Sequence, residues 1–278
     1  MVNILFCGNK GVFDGVLTTS LSIMMRTKSK ESFSFYIFTM DKTDIKETYL
    51  PITEEQIDIF DETIKKFNPE NTVRLFDVTE LYDKEFKGCP NESAYCSPYT
   101  LIRLLANLIP EMPDKLLYLD CDLMFNRDIH LLYDYDISAY EFAASNDHYG
   151  KYLINPLYIN AGVLLLNMKK IKETGLMDKA RELLREKKLV FADQSAIIRS
   201  ATKRKLLPQR FNDQKFLHKH TVIRHFSKRL FYLPYPHTEN IKQWHIDKVH
   251  QKFHYTQFDD IYEVYLKIIK EMNENEKR

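Results

Sequence analysis

The sequence lacks an excess of either charge. Its 278 residues include 40 Lys and Arg against 39 Asp and Glu, so the chain as a whole has no basic footprint of a nucleic-acid binder. It also lacks a run of the roughly 20 apolar residues that span a bilayer. The first residues, M-V-N-I-L-F-C-G, place no charged region ahead of their short apolar run. We therefore expect a cytoplasmic protein with no signal peptide and no nucleic-acid partner, whose membrane contact, if it has one, is peripheral at the inner face.

Cysteine is scarce, and its spacing is uninformative for metal binding. The four cysteines, Cys7, Cys89, Cys96 and Cys121, have no paired metal-ligand spacing, and two of them lie in or beside apparent core strands. This usage is typical of a reduced intracellular protein. Internal repeats and low-complexity linkers are also absent, so we expect one continuous domain over residues 1–250. An amphipathic helix within residues 251–278 is expected to pack on that same domain.

Apolar strands alternate with helices along most of the chain. Thr53 and Gln56 have the spacing of a capping box at a helix start, and a helix is predicted from Pro98 to a stop at Pro110. The alternation predicts an α/β fold with a Rossmann-like, mixed but mostly parallel sheet flanked by helices. The predicted strands are Val2–Cys7, Phe33–Phe38, Val73–Val78, Leu116–Leu119, Glu141–Ser145 and Gly162–Leu166.

Two aspartates end the fourth of these strands. Residues 115–125 read K-L-L-Y-L-D-C-D-L-M-F, with Asp120 and Asp122 separated by one cysteine. Ligands of open α/β sheets bind outside the carboxyl ends of the strands. Residues two apart on a strand point to the same side, so both carboxylates can face one ion. Such oxygen ligands favour Mg²⁺ or Mn²⁺ over zinc. The alternative is an N-cap and a solvated loop charge.

Four further segments carry polar residues at element boundaries. Each has an ordinary structural explanation when taken alone: Asn9 and Asn160 are typical turn residues, Asp193 is a typical N-cap, and a single His such as His225 is more often structural or exposed. The segments are G-N-K-G at 8–11, Y-I-N-A-G-V at 158–163, F-A-D-Q-S at 191–195, and His225 followed by K-Q-W at 242–244.

In this order, the segments resemble glycosyltransferase family 8, which includes glycogenin and bacterial lipopolysaccharide galactosyl- and glucosyltransferases. The resemblance extends from the first strand to about Trp244 and rests on Y-L-D-C-D, Y-I-N-A-G-V-L-L-L-N, F-A-D-Q-S and the late His with its downstream Lys-x-Trp. It implies a nucleotide-diphospho-sugar transferase architecture of GT-A type. It also implies a retaining, Mn²⁺-dependent enzyme, with Mg²⁺ possible, that moves glucose or galactose from UDP-glucose or UDP-galactose to a saccharide or glycolipid acceptor, as in lipopolysaccharide biosynthesis.

The resemblance also assigns roles residue by residue. It implies that Asp120, Asp122 and His225 are the metal ligands, with Asp120 also near the ribose. Lys242 would bind the diphosphate, and Arg103 would reach toward the donor sugar. Positions lining the sugar and the reacting carbon would be Asn160, Asp193 and Gln194, joined by Asp147.

The sequence departs from the family pattern at several positions. Asn9 stands where the first turn usually carries an Asp that helps to hold uracil, although an amide can still donate and accept hydrogen bonds. The late segment reads Lys-Gln-Trp in place of Lys-Pro-Trp, about sixteen residues after His225. Residues 273–278 are too short for the basic membrane-binding tail of some members. These departures bear on uracil selectivity, on Lys242 and on membrane contact.

Retention of configuration at sugar C1 could arise from front-face attack or from a covalent intermediate. We favour front-face attack, because the amide of Gln194 is a poor nucleophile. Two other functions stay open. A phosphatase of the haloacid-dehalogenase type also places D-x-D after a strand, but after its first strand, whereas more than a hundred residues precede Asp120 here. It would also need a later pair of aspartates at a strand end, and Asp259 and Asp260 open a helix instead. A non-catalytic sugar-nucleotide binding protein is the other, although neighbouring carboxylates need a cation or solvent.

Overall fold

The structure of the chain, a computed structural model, describes residues 1–92 and 97–275. Cys96 and the last part of the predicted tail, residues 276–278, lie outside the described residues. Cys7, Cys89 and Cys121 are free thiols.

The strands of the described residues are, in chain order, β1 (Val2–Cys7), β2 (Phe33–Thr39), β3 (Thr72–Asp77), β4 (Lys115–Leu119), β5 (Leu123–Phe125), β6 (Phe142–Ser145), β7 (Val163–Asn167), β8 (Arg204–Leu207), β9 (Ile223–His225), β10 (Arg229–Phe231) and β11 (His237–Glu239). The helices are α1 (Phe13–Arg26), α2 (Glu54–Phe67), α3 (Thr79–Phe86), α4 (His130–Tyr133), α5 (Gly150–Leu153), α6 (Met168–Thr174), α7 (Leu176–Glu186), α8 (Ala192–Ser200), α9 (Ile246–Phe253) and α10 (Asp259–Asn275). Short 3₁₀ helices lie at Lys10–Val12, Pro98–Thr100, Ile102–Leu108 and Gln209–Phe211.

The central sheet has the strand order β3-β2-β1-β4-β7-β6-β8. Neighbours run parallel from β3 to β4, and β6 is parallel to β8. Strand β7 is antiparallel to both β4 and β6. The mixed, mostly parallel sheet with helices on its faces confirms the predicted fold class. Because β2 and β3 lie on one side of β1 and β4 lies on the other, the strand order reverses between β1 and β4, where α/β sheets bind ligands.

The central strands β1 and β4 carry buried side chains on both faces of the sheet, since successive strand residues point to opposite sides. On β1, Ile4 and Phe6 join a core cluster that includes α1 and α2, whereas Leu5 and Cys7 join a second cluster that includes α3 and α7. Helix α2 starts at the predicted capping box, in which Thr53 Oγ1 accepts from the backbone N–H of Gln56 and Gln56 Oε1 accepts from the backbone N–H of Thr53.

The segment after Pro98 differs from the sequence prediction. Instead of one α-helix to Pro110, it forms two 3₁₀ helices, which hold Arg103 within the second. The Arg103 guanidinium donates from Nε to the carbonyl of Thr100 at 2.9 Å, within its own turn, and from Nη1 to the carbonyl of Ala161 at 2.6 Å. Such short 3₁₀ runs are typical of connectors, and here the side chain is directed at the carboxyl edge of the sheet.

A small second sheet pairs two distant strands. Strand β5 runs antiparallel to β9, with Leu123 opposite His225. The chain after Pro208, whose pattern is irregular in the sequence, thus returns to the end of β4.

Helix α10 packs against α1 through buried residues such as Ile261 and Tyr265. It begins at Asp259, so the aspartates at 259 and 260 open a helix, as expected. The division of the chain at residue 250 stays a prediction. Among the described residues, no helix combines the length and the apolar character needed to cross a membrane.

Candidate metal and donor site

Three of the predicted site residues converge just beyond β4. Asp120, Asp122 and His225 each offer one ligand atom, and these atoms lie within 4.8 Å of one another. The His225 Nε2 atom is 3.0 Å from Asp122 Oδ1 and 3.9 Å from Asp120 Oδ2. The pairing of β5 with β9 produces this arrangement, and the backbone N–H of Phe226 donates to the Asp122 carbonyl at 2.7 Å.

The two carboxylates converge for a different reason than strand alternation. Strand β4 ends at Leu119, and both aspartates lie in the short link that joins it to β5. The backbone N–H of Asp120 donates to the Gly162 carbonyl at 2.8 Å, which holds the link against the start of β7. The turn, rather than a continued strand, therefore brings the carboxylates together.

The residues fit a divalent cation. Two carboxylate oxygens and one imidazole nitrogen suit Mn²⁺, and Mg²⁺ less well, because Mg²⁺ prefers oxygen ligands throughout. A Cβ atom at Gly162 would lie 2.5 Å from His225 Cε1 and 2.7 Å from Asp120 Oδ2. The absence of a side chain at Gly162 thus leaves space for the side chains of His225 and Asp120.

Asn212 orients the histidine, although no sequence pattern pointed to this residue. Its side chain is fully buried. Its Oδ1 atom lies 2.9 Å from His225 Nδ1, and its Nδ2 donates to Asn160 Oδ1 at 2.8 Å. Since Oδ1 can only accept, Nδ1 donates to it, and Nε2 is the ring nitrogen that faces the two carboxylates.

Lys242 reaches the same cluster from the late K-Q-W segment. Its Nζ atom lies 2.5 Å from Asp122 Oδ2. Burial works to raise the pKa of Asp122, but the Lys242 ammonium and the His225 imidazole hold that pKa well below its usual range. Asp122 therefore stays ionised and ready to bind a cation at neutral pH.

The glutamine that replaces the family's proline has its own structural role. Gln243 is fully buried, and its side-chain amide donates from Nε2 to the Cys121 carbonyl at 2.9 Å and to Thr18 Oγ1 at 3.1 Å. The next residue, Trp244, packs at Gly15 of α1, where any Cβ atom would overlap both the indole and the Cys121 carbonyl oxygen. The departure from the family pattern thus ties the late segment directly to the aspartate link.

Arg103 joins two other predicted residues below this cluster. Its side chain is buried, with Nη2 at 3.1 Å from Asp120 Oδ1 and Nε at 3.3 Å from Asp193 Oδ2. Burial raises the pKa of Asp193 above its ordinary value, and Arg103 opposes part of that rise. Tyr118 donates to Asp120 Oδ1 at 2.6 Å, and its ring lies 4.1 Å from the Arg103 guanidinium.

The N-cap interpretation of Asp193 does not hold. Helix α8 begins at Ala192, and Asp193 lies within its first turn, facing Arg103. Its neighbour Gln194 accepts from the backbone N–H of Ala161 at 3.0 Å through Oε1. Gln194 therefore faces the segment that precedes β7, whereas Asp193 faces Arg103.

Asn160 and Asp147 form the remaining part of the site. Asn160 donates from Nδ2 to Asp147 Oδ2 at 3.0 Å and accepts from the backbone N–H of Gly162 at 3.0 Å. With Asn212, these contacts make one chain of hydrogen bonds from His225 to Asp147. The sequence motifs that contain Asn160 and His225 thus lie together in the fold, joined through Asn212.

A cavity of about 250 Å³ lies at the carboxyl ends of β1 and β4. It is lined by five of the predicted residues, Asn9, Arg103, Asp120, Asp122 and Lys242, together with Tyr99 and Trp244. Asn9 accepts from the backbone N–H of Gly11 at 3.1 Å, as a turn residue would. The other predicted residues, His225, Asn160, Asp147, Asp193 and Gln194, do not line this cavity and adjoin it through the contacts above.

Comparisons with known proteins agree with this geometry. Residues 3–221 match the family model described as Glycosyl transferase family 8. Glycosyltransferase GlyA of Streptococcus pneumoniae serotype 4 (strain ATCC BAA-334 / TIGR4) is 30% identical over 204 residues, which are 70% of this chain and 25% of that protein. The chain thus spans about a quarter of the length of this curated relative.

Solved structures share the fold at low sequence identity. An active-site mutant of LgtC has a TM-score of 0.69 at 18% identity and covers 97% of this chain and 96% of its own. The galactosyltransferase LgtC in complex with donor and acceptor sugar analogues has a TM-score of 0.67 at 19% identity, with 95% of each chain covered. This likeness establishes the GT-A fold. Together with the family match over most of the sequence, it shows that the chain belongs to glycosyltransferase family 8.

Proposed function

We propose that the chain is a retaining, Mn²⁺-dependent glycosyltransferase that moves glucose or galactose from a UDP-sugar to a saccharide or glycolipid acceptor. The observation that carries the proposal is the convergence of Asp120, Asp122 and His225 beside Lys242, at the edge of one cavity. Breaking the bond between sugar C1 and the diphosphate builds negative charge on the leaving group. Cations placed there stabilise the transition state more than the ground state.

The residues of the chain divide this work. Asp120, Asp122 and His225 would hold the metal ion, which when bound acts as a Lewis acid toward the diphosphate. Lys242 would bind the diphosphate from the opposite side of Asp122, and Arg103 would face the donor sugar. Asn9 would contact the base at the far end of the same cavity, because it lies at the carboxyl end of β1.

We infer front-face attack as the route to retention. The acceptor oxygen would bond to C1 on the face that the diphosphate leaves, and the acceptor proton would pass to the departing phosphate oxygen. The contacts of the two nearest candidates for a nucleophile support this route. Gln194 Oε1 is engaged by the Ala161 N–H at 3.0 Å, and the Asp193 carboxylate is paired with Arg103 at 3.3 Å.

A panel of UDP-sugars tests the proposed function. With Mn²⁺, we expect UDP release from UDP-glucose or UDP-galactose, and we expect a chelator to abolish it. Enzyme quenched during turnover should show no glycosyl adduct by mass spectrometry. Metal-independent binding, or no hydrolysis of any UDP-sugar, contradicts the transferase proposal. Binding of UDP-sugars without turnover would favour the non-catalytic binding protein, and an adduct on Asp193 or Gln194 would favour a covalent route.

Substituting Asn212 should weaken metal binding without removing a ligand. In Asn212→Leu, His225 loses the acceptor that holds its ring and its tautomer, so we expect Mn²⁺ affinity to fall by about 10- to 100-fold. Titration calorimetry measures the affinity, and circular dichroism measures the fold. Asn126→Leu is the matched control, because Asn126 Nδ2 donates to the Thr221 carbonyl near the same strand and not to a proposed site residue among those described. Unchanged Mn²⁺ affinity in a folded Asn212→Leu protein would refute this role.

A further inference from the structure

A group of large apolar side chains projects from two loops beside the candidate site. Leu153, Val190 and Tyr152 are 80%, 79% and 77% exposed, and Ile154 and Leu157 are more than half exposed. We call these five residues the apolar surface. Single exposed apolar residues are common on proteins, but several together on neighbouring loops indicate an interaction site.

The two loops meet at one concave region. Ile154, Leu157 and Val190 line a common cavity of about 380 Å³, with Arg199 and Arg204 also in its wall. Arg204 donates to the Leu157 carbonyl at 3.2 Å, which fastens one loop to the end of β8. The apolar side chains are therefore continuous with two guanidinium groups rather than scattered.

The charged side chains around the apolar surface are mainly basic, although exposed Glu186 directly precedes Lys187. Segments 148–158, 187–191 and 198–205 contain no Asp or Glu. Exposed cations in these segments include Lys187, Lys188 and Arg199. A surface with exposed apolar side chains and basic groups matches an anionic lipid bilayer, in which phosphates meet the basic groups while Leu, Val and Tyr enter the interface.

Other occupants match less well. A second copy of the chain joined by a symmetric contact would place the basic groups of one protomer against those of the other. An acidic peptide would satisfy the cations but leaves no role for Leu153, which is 80% exposed and does not line that cavity. We propose that the apolar surface and its basic groups dock the protein on an anionic phospholipid membrane.

The position of the surface fits delivery of a lipid-linked acceptor. Tyr158 lies in the wall of its cavity, and its hydroxyl is 2.8 Å from Ser195 Oγ, one residue after Gln194. The membrane would thus lie next to the proposed sugar site. This advantage rests on the proposed function, whereas docking itself does not.

Vesicle co-sedimentation tests the docking. The 278-residue chain should sediment with phosphatidylcholine vesicles that contain phosphatidylglycerol, and less with phosphatidylcholine alone. We expect the double variant Leu153→Glu/Val190→Glu to bind at least about 10-fold more weakly. Lys188→Gln/Arg199→Gln should weaken binding about 5- to 20-fold and reduce its salt dependence. Leu266→Glu, an equivalent change at an exposed position of α10, should bind like the wild type.

UDP-sugar hydrolysis by the same variants separates the two proposals. Both double variants should hydrolyse the donor at the wild-type rate, because neither touches the residues assigned to it. Wild-type protein that ignores anionic vesicles, or a Leu153→Glu/Val190→Glu variant that binds them unchanged, overturns the docking proposal whatever the donor assay gives. A dimer in solution that this variant dissociates would also overturn it, by assigning the surface to a second copy.

Discussion

Asp122→Asn should reduce metal-dependent turnover by at least about 100-fold. The change removes the charge that pairs with both His225 and Lys242, and the neutral amide is a much weaker ligand for a hard cation. The fold should persist, because Asp122 lies in the link after β4 and Asn keeps its size. We therefore expect turnover to fall while the thermal midpoint moves by only a few degrees.

A Mn²⁺ titration of turnover, with circular dichroism on the same samples, measures both effects. Asp58→Asn is the matched control, since Asp58 is exposed on α2 and far in sequence from every candidate ligand. Its turnover and Mn²⁺ dependence should equal those of the wild type. An Asp122→Asn protein with a wild-type Mn²⁺ midpoint would remove Asp122 from the metal site.

Gly162→Ala should be nearly as damaging, although it changes no charged or polar group. The new methyl would lie 2.5 Å from His225 Cε1, 2.7 Å from Asp120 Oδ2 and 3.0 Å from Asn160 Oδ1. These side chains must move apart, so we expect Mn²⁺ affinity to fall by about 10- to 100-fold and turnover to fall with it. The cost should appear in the site rather than in the core, because the crowded atoms belong to side chains at the sheet edge.

Titration calorimetry with Mn²⁺ and a steady-state assay would measure this result. Gly11→Ala provides the comparison, because its Cβ would meet Asn9 Oδ1 at 3.4 Å, an ordinary contact. That variant should keep wild-type Mn²⁺ affinity. If Gly162→Ala also kept it within about twofold, Asp120 and His225 would not be joint ligands.

The strands, and the polar residues that follow them, could be predicted from the sequence because each depends on a local pattern. The run before Asp120 is apolar and bounded, and it forms β4 in the middle of the sheet. The capping box at Thr53 likewise depends on residues three apart. Local rules also misled, because strand alternation does not extend through Asp122, the segment after Pro98 forms 3₁₀ helices, and Asp193 is not an N-cap.

The site as a whole depends on contacts between distant segments, which spacing does not encode. Only the family resemblance placed His225 with the aspartates, because their contact requires the pairing of β5 with β9. Asn212 is an ordinary asparagine in the sequence, and its role appears only once His225 lies beside it. The substitution at Gln243 was visible, but its bond to the Cys121 carbonyl required the fold.

The pairing of β5 with β9 also has a consequence for the order in which the chain matures. Lys242 is 120 residues from its partner Asp122, and the strands from β1 to β8 all precede β9 in the chain. The large sheet can therefore form before β9 is available, whereas the proposed cation site is complete only after β9 and Lys242 have been synthesised. A nascent chain that lacks β9 and Lys242 would therefore not hold the ion, and the ion would stabilise the fold only late in its formation.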